Sequence, residues 1–404
     1  SQHDALPISF NFDTDPIQAY IDGDWIKARG TTLGADNGIG MAMALSVLTS
    51  TDLQHPAIEC LFTVDEETGL TGAFALQPDL LKGEVLINLD SEDDGEVFIG
   101  CAGGVGTKAF FDYQKVALPA GLFGFKVEVS GLKGGHSGGD IHLGLANALK
   151  LLSGYLGTLK TTMPVRLAHI QGGNLHNAIP REASAVVAVP YSEKEAVRVA
   201  LNIYLAEVEL LYKNIEPGLK IGLASVELPA ELIDQNSTDR LIDALNACPH
   251  GVIAMSTDMP GLVETSTNLA SVKMNDGNRI AIVTSQRSMA EPTKKEIAAT
   301  VYAVFREANA VVEQTDGYPG WKPNLNSRIL TITRKAYETL YGQDPAIKAI
   351  HAGLECGLFL EKYPQLDMVS VGPQMHGVHS PDEKLSIAST QKSWSWLVEI
   401  LKNS

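Results

Sequence analysis

Three short apolar runs in this chain each stop at acidic residues or at a glycine and proline turn. They span residues 58–64, 85–89 and 368–371. Apolar runs of this length are typical of strands that are buried on both faces of a parallel sheet. Helical patterns lie between and after them, notably at 38–48 and 327–341. The alternation predicts an α/β layer fold with a mostly parallel central sheet.

The middle of the chain has a different pattern. From about 121 to 310, alternating strands are mixed with amphipathic helices, which indicates a separate α+β domain. A second pass of strands around a helix begins near residue 220, so a duplicated insert is one interpretation. The alternating strands are predicted at 125–129, 165–169, 185–189 and 279–284.

The run YPGW at 318–321, followed by Pro323, marks the return to the first fold. We therefore predict a domain formed by two separate parts of the chain, 1–104 and 317–404. The α+β domain, at 105–316, is inserted between them.

Charge and cysteine content exclude several classes of function. The chain has 31 lysine and arginine residues against 48 aspartate and glutamate residues, and the net charge of −17 repels nucleic acid and anionic lipid. Its four cysteines form no CxxC pair, so neither a disulfide framework nor a thiolate zinc site is indicated. No window approaches the ~20 apolar residues of a membrane helix, and no signal peptide is recognisable. We expect a soluble, cytoplasmic protein without nucleic-acid or membrane partners.

A glycine-rich loop places Asp36 just before a predicted helix, in the run GADNGIG at 34–40. Glycine lets a backbone approach a ligand closely. The alternative is that Asp36 or Asn37 only caps the helix, and for this motif alone capping is the preferred interpretation.

Further candidate ligands follow the predicted strands. Glu66 and Glu67 lie in the acidic triplet after the first apolar run, Asp90 ends the second, and His379 follows the third. An isolated acidic triplet is as often a solvated turn as a site. In an open α/β sheet, however, ligands gather beyond the carboxyl ends of the strands, where these residues and Asp36 would meet. Carboxylates and an imidazole without thiolates suit a catalytic zinc or manganese site.

Five further motifs are distinctive: TTLGADNGIG (31–40), GLKGGHSGG (131–139), NAIPRE (177–182), HAGLECG (351–357) and HSPDE (379–383). They resemble those of the aminoacyl-histidine dipeptidases, which are also called Xaa-His or cytosol non-specific dipeptidases. This family belongs to a di-zinc group that includes aminoacylases and desuccinylases, and it has a zinc-exopeptidase-like catalytic domain interrupted by a lid domain. The similarity runs from about Phe12 to the C-terminus.

The resemblance implies a site with two zinc ions, with Mn²⁺ or Co²⁺ as alternatives. Asp36 would bridge both ions, Glu67 and His379 would hold one, Asp90 would hold the other, and Glu66 would be the general base. Two such ions, about 3.5–4 Å apart, lower the pKa of a water and polarise the scissile carbonyl. Adjacent residues on an extended backbone point in opposite directions, so the two glutamates can divide the roles of base and ligand.

The resemblance also assigns residues of the inserted domain. His136 would stabilise the tetrahedral oxyanion, with help from Asn177 and Arg287. As a bare pattern, the glycine-rich run around His136 is only a flexible turn. Removal of one oxyanion donor typically costs about 10² to 10³ in rate.

The motif HAGLECG contributes Glu355 and Gly357, which would line the substrate end of the site and hold the free α-amino group of a dipeptide. A tight strand-to-helix turn is an equally good interpretation of this run.

The family carries a His-x-Asp motif before the loop of Asp36, and this chain has none. The run HDALPI at 3–8 resembles the translation of a sequencing adapter. We therefore expect an N-terminally truncated chain that binds the metal of Asp90 weakly and has little activity by itself.

The leading hypothesis is metal-dependent hydrolysis of dipeptides with a free N-terminus, including Xaa-His dipeptides. One alternative is an N-acyl amino acid amidohydrolase of the aminoacylase or desuccinylase type. Another is an impaired protein that only binds metal or peptide. Family members often dimerise, so a homodimer is also expected.

Overall fold

The computed structural model describes residues 10–404, so the adapter-like run at 3–8 lies outside the described residues. The chain divides into two compact units. The first comprises the residues up to Cys101 together with Trp321–Ser404, and the second comprises Ala102–Gly320. The roles of these units as catalytic and lid domains, and the limits at 104 and 316, stay predictions.

Strands and helices alternate in the first unit, whereas the second is richer in strands. In chain order the strands are β1 (Ala19–Asp22), β2 (Trp25–Ala28), β3 (Val85–Asn88), β4 (Glu96–Cys101), β5 (Gly103–Asp112), β6 (Lys115–Ala117), β7 (Leu122–Ser130), β8 (Gly135–His136), β9 (Arg166–Gly172), β10 (Ala178–Ile179), β11 (Ala183–Pro190), β12 (Lys220–Ser225), β13 (Glu231–Ile233), β14 (Gly251–Met255), β15 (Val263–Asn275), β16 (Arg279–Ser288), β17 (Val311–Gln314), β18 (Ala346–Ile350), β19 (Asp367–Ser370), β20 (Met375–His376) and β21 (Lys384–Ser386).

The helices are α1 (Ala35–Thr49), α2 (Glu66–Gly69), α3 (Thr71–Ala75), α4 (Ala148–Lys160), α5 (Lys194–Tyr212), α6 (Gln235–Ala247), α7 (Glu291–Glu307), α8 (Arg328–Tyr341), α9 (Glu355–Lys362) and α10 (Ile387–Asn403). Within residues 10–404, none of them has both the length and the apolar character that a membrane span requires.

The central sheet of the first unit has the strand order β18-β4-β19-β3. β3 pairs in parallel with β19, and β4 pairs in parallel with β18. β19 meets β4 in the antiparallel sense at one residue pair, Ser370 with Phe98. The mostly parallel sheet and two of its three predicted strands are therefore confirmed.

The strand predicted at 58–64 is wrong. This run is irregular in the structure, and no strand among residues 10–404 pairs with it. Its side chains Phe62 and Val64 are exposed. An apolar run becomes a strand only where a neighbour satisfies its backbone hydrogen bonds, and the composition of the run does not specify that neighbour.

The two predicted helices of the first unit are present as α1 and α8. α8 begins where the Ser327 hydroxyl accepts a hydrogen bond from the Leu330 amide at 3.0 Å, and it ends at Gly342, whose φ is 69°. These are ordinary start and stop signals. α8 packs on α10 through an edge contact between Tyr337 and Trp396, with ring centroids 4.6 Å apart.

The second unit is built on an antiparallel sheet of order β12-β7-β11-β9-β15-β16-β5-β17, with β14 also paired to β15. Four of these strands, β7, β9, β11 and β16, contain or overlap the predicted alternating strands. Against the sheet packs α4, whose first turn is capped by Asn147 through the Leu149 amide at 2.9 Å. Its buried residues Leu152, Leu156 and Leu159 recur at helical spacing and join the core of this unit.

Candidate metal centre and catalytic residues

The turn that carries Asp36 opens α1. The backbone at Asp36 and Asn37 is not helical, so the regular helix begins after them. The Asn37 side chain accepts a hydrogen bond from the Gly40 amide at 3.0 Å. A Cβ at position 40 would collide with that side-chain oxygen and displace it from the Gly40 amide. Asn37 is therefore the helix cap, and Asp36 serves another purpose.

His379 brings Asp36 and Glu67 together. Its Nε2 atom lies 2.9 Å from an oxygen of Asp36 and 2.9 Å from an oxygen of Glu67. One ligand atom from each of the three residues lies within 4.8 Å of the others. The hydrogen bond with Asp36 raises the pKa of His379 to about 9. A cluster that holds a proton this tightly favours a positive charge at its centre.

Asp90 follows the carboxyl end of β3. Burial raises the pKa of Asp90 to about 9, and Asp36, with which it shares a hydrogen bond, and Glu66 add to the shift. Its Oδ1 atom is buried and has no hydrogen-bond partner among residues 10–404. A buried oxygen without a partner is costly, and a bound cation would satisfy it.

Glu66 and Glu67 open the short helix α2, so the expectation of an extended backbone there is wrong. Their side chains diverge all the same, because successive residues of a helix are separated by about 100° around its axis. Burial raises the pKa of Glu66 to about 7, with repulsion from Glu67, Glu355 and Asp36 in addition. A carboxyl group that titrates near neutral pH can both accept and return a proton.

The donor set fits a divalent metal ion. Asp36, Glu67 and His379 supply two carboxylates and one imidazole, a combination that suits zinc or manganese. Asp36 also shares a hydrogen bond with Asp90, whose buried Oδ1 has no hydrogen-bond partner among residues 10–404 and could serve as a further ligand atom. Asp36 therefore contacts both His379 and Asp90.

Glu355 lies at the start of α9, and its carboxylate accepts a hydrogen bond from the Thr63 hydroxyl at 2.9 Å. Its other oxygen is buried without a hydrogen-bond partner in the described part of the chain. Burial raises the pKa of Glu355. Gly357 is buried within α9. Its amide donates to the Leu354 carbonyl at 3.2 Å, so its backbone is already engaged.

A cavity of about 630 Å³ opens beside this cluster. Asp36, Glu66, Glu67, Asp90 and Glu355 all line it. The rest of the lining is mostly apolar and comes chiefly from α1, the run 58–64 and β3, together with Phe359 of α9 and Leu397 and Leu401 of α10. The first unit thus gathers five predicted site residues around one space.

In the second unit, the predicted oxyanion donors lie together. The Ser137 amide donates to the Asn177 carbonyl at 2.7 Å, which holds Asn177 beside His136. The Nδ1 atom of His136 accepts a hydrogen bond from the Gly139 amide at 2.9 Å. An Nδ1 atom that accepts carries no proton, so the neutral ring carries it on Nε2.

Arg287 lies close enough to His136 to affect the pKa of its imidazole. Burial lowers the pKa of His136, and the positive charge of Arg287 lowers it further. The Arg287 guanidinium donates to the Tyr318 hydroxyl at 2.8 Å through Nη1, while its buried Nε has no hydrogen-bond partner within residues 10–404. A Cβ at Gly104 would lie 2.7 Å from the Tyr318 ring, so a larger residue at position 104 would displace that ring.

Three residues at these sites were not assigned from the sequence. Burial and the nearby Asp36 raise the pKa of Glu92 to about 7, and its place in the acidic run after Asp90 was the available signal. Thr63 and Tyr318 orient Glu355 and Arg287, but a single hydroxyl in a sequence gives no comparable signal.

The chain matches the family model described as "Peptidase family M20/M25/M40" over residues 1–403. It is 44% identical over 392 residues to the cytosol non-specific dipeptidase of Escherichia coli (strain K12), an alignment that covers 97% of this chain and 81% of the relative.

Two solved structures are similar to this chain. The aminoacylhistidine dipeptidase of Vibrio alginolyticus is 43% identical and superimposes with a TM-score of 0.91, covering 99% of this chain and 82% of that chain. The aminopeptidase PepT of Bacillus cereus ATCC 10987 is 16% identical with a TM-score of 0.52, and the match covers 97% of this chain and 77% of that chain. This second protein shares the fold. The chain belongs to peptidase family M20/M25/M40.

Proposed function

We propose that this chain is a metal-dependent dipeptidase that hydrolyses dipeptides with a free N-terminus, including Xaa-His dipeptides. The observation that carries the proposal is the convergence of Asp36, Glu67 and His379 within 4.8 Å beside the titratable Glu66. The names of the two relatives of more than 40% identity, a cytosol non-specific dipeptidase and an aminoacylhistidine dipeptidase, support the substrate class.

Asp36, Glu67 and His379 would hold one zinc ion, and Asp36 with Asp90 would hold a second. Bound zinc would supply a water of lowered pKa and polarise the peptide carbonyl. The contacts of Asp36 with both His379 and Asp90 support its role as the shared ligand. Mn²⁺ or Co²⁺ would suit the same donors.

Glu66 is the general base in this proposal. Its pKa of about 7 lets it take a proton from the attacking water and return it to the leaving amine. Glu67, its neighbour, contacts His379 and serves as a ligand. The two adjacent carboxylates thereby carry different roles.

Glu355 would orient the substrate, because its unpaired Oε1 atom can accept a hydrogen bond from the α-ammonium group of a dipeptide. His136, with its proton on Nε2, is suited to donate to a developing oxyanion, and Asn177 and Arg287 would assist. The part of Gly357 stays a prediction, as do a homodimer and the absence of nucleic-acid and membrane partners. The word "cytosol" in the name of the E. coli relative supports a cytoplasmic location.

The test compares three substrates: a free-amine Xaa-His dipeptide, the same dipeptide with an acetylated amine, and an N-acetyl amino acid. A dipeptidase cleaves only the first, because Glu355 requires the free ammonium group. Turnover of the N-acetyl amino acid instead would assign the chain to the aminoacylase type, for which no observation at this site speaks.

A further inference from the structure

The carboxylate of Glu383 accepts hydrogen bonds from four consecutive backbone amides. Oε2 accepts from Leu33 and Gly34 at 2.8 and 2.9 Å, and Oε1 accepts from Ala35 and Asp36 at 2.8 and 3.2 Å. Glu383 is only 2% exposed. A carboxylate has about four acceptor sites, so the amides use all of them and none is left for a metal ion.

The local backbone explains why four amides converge on one group. Gly34 has φ 72° and ψ 26°, a left-handed conformation that turns successive amides toward the same side. The Asn37 side chain accepts from the Gly40 amide and leaves the amides of residues 33–36 to another acceptor. A side chain about 350 positions further along the chain therefore satisfies the amides of the turn that precedes the regular part of α1.

Glu383 belongs to the same tight turn as His379. The Glu383 amide donates to the Ser380 carbonyl at 3.1 Å, and the Ser380 hydroxyl donates to the Gly377 carbonyl at 2.6 Å. One end of this turn thus carries the imidazole that contacts Asp36. The other end carries the carboxylate that fixes the backbone of Asp36.

We propose that Glu383 is a positioning residue, which sets the distance between the Asp36 carboxylate and the His379 imidazole so that both meet one metal ion. This inference rests on the proposed function, because it concerns the metal which that function requires. Groups that orient metal ligands typically change metal affinity or activity 10- to 100-fold when they are altered. A carboxylate that only capped α1 would change stability and leave metal affinity unchanged.

Asp234 provides a matched control for mere capping. Its two carboxylate oxygens accept from the Ser237 amide at 2.9 Å and the Gln114 amide at 3.0 Å, at the start of α6 in the second unit. Asp234, like Glu383, is a carboxylate bound by backbone amides at the start of a helix, but no proposed metal ligand lies in its turn. Asp234→Asn therefore tests the loss of capping alone.

The experiment measures the affinity of the full chain for Zn²⁺ by competition with a chromophoric chelator, together with the thermal midpoint of unfolding. Glu383→Gln keeps the shape of the side chain but turns an NH₂ group toward amide donors. Gly34→Ala perturbs the backbone amides that bind Glu383 instead of the carboxylate itself. Position 34 has open space for a Cβ, but its φ of +72° is unfavourable for alanine. We expect Glu383→Gln to weaken zinc binding 10- to 100-fold, Gly34→Ala to weaken it less, and Asp234→Asn to lower only the midpoint.

The inference is overturned if the first two variants fold and bind zinc within twofold of the parent protein. Should Glu383→Gln fail to fold, the affinity of Gly34→Ala decides by the same criterion. A parent protein that binds zinc but cleaves no dipeptide refutes the proposed function. The zinc affinities of the variants, relative to the parent protein, still test the role of Glu383. A parent protein that binds no zinc refutes both.

Discussion

The Nε2 atom of His379 lies 2.9 Å from Oδ2 of Asp36, although 343 positions separate the two residues in the chain. This contact raises the pKa of His379 to about 9, so without metal the ring is protonated at neutral pH. The imidazolium places positive charge among carboxylates that otherwise repel one another. A metal ion bound by His379 must displace that proton.

Zinc affinity should therefore rise with pH. For one displaced proton we expect a gain of about tenfold per pH unit below the pKa of His379, because the metal and the proton compete for Nε2. Chelator competition at pH 6.5, 7.25 and 8 measures it. A zinc affinity that stays constant over this range contradicts the assignment of His379 as a ligand.

Asp90 should destabilise the metal-free protein at alkaline pH. Its folded pKa is raised from 3.8 to about 9, so between these values the folded state holds a proton that the unfolded state releases. The free energy of unfolding consequently falls as pH rises through this window. We expect Asp90→Asn to stabilise the metal-free protein at pH 8 by on the order of 1–2 kcal/mol.

Urea unfolding in the presence of a chelator, at pH 6 and pH 8, measures this effect. The gain should be larger at pH 8, and added zinc should favour the parent protein over Asp90→Asn. A variant that is less stable than the parent at both pH values, without metal, would show that the carboxyl group supports the fold.

Glu66→Gln should lower kcat by about 10² to 10⁴ while zinc binding stays close to that of the parent, because the base is lost but the ligands remain. Asp65→Asn is the matched control. Asp65 is exposed at the adjacent position and has φ 57°, a conformation that asparagine tolerates. Equal losses of zinc and of activity in Glu66→Gln would instead make Glu66 a ligand.

His136→Ala should lower kcat by about 10² to 10³ with zinc affinity unchanged, because a neutral donor through Nε2 is removed. His142→Ala, an exposed histidine in the same unit, serves as the control. Steady-state kinetics on an Xaa-His dipeptide measure both. An unchanged kcat in His136→Ala would remove this residue from the catalytic group.

Tyr318→Phe should reduce kcat/KM by about 10- to 100-fold, since a hydrogen bond to a charged group contributes about 1.5–3 kcal/mol and here it orients Arg287. The control is Tyr302→Phe, an exposed tyrosine of α7. A loss as large in the control as in Tyr318→Phe would speak against a specific role.

Local patterns were sufficient to predict much of the fold. α8 was predictable because Ser327 and Gly342 mark its ends, and β3 and β19 because their short apolar runs pair in parallel in the central sheet. The run 58–64 has similar composition, yet it forms no strand, because strand formation depends on a partner elsewhere in the chain.

The candidate site likewise contains residues that the sequence could suggest and residues whose roles depend on the fold. Asp36 and His379 stand in motifs, so the sequence could suggest them. Glu383 was part of the same motif as His379, but its role depends on amides about 350 positions away, and only the folded chain brings these together. The pairing of Tyr318 with Arg287 likewise depends on the fold of the second unit.

The most direct test of the central claim is the rate of Xaa-His dipeptide hydrolysis as zinc is titrated into the metal-free protein, with His379→Ala measured in parallel. We predict that the rate rises in proportion to bound zinc until the site is full, and that the variant shows neither tight zinc binding nor turnover. Hydrolysis that persists in excess chelator, or a zinc-saturated protein that leaves the dipeptide intact, would contradict the account.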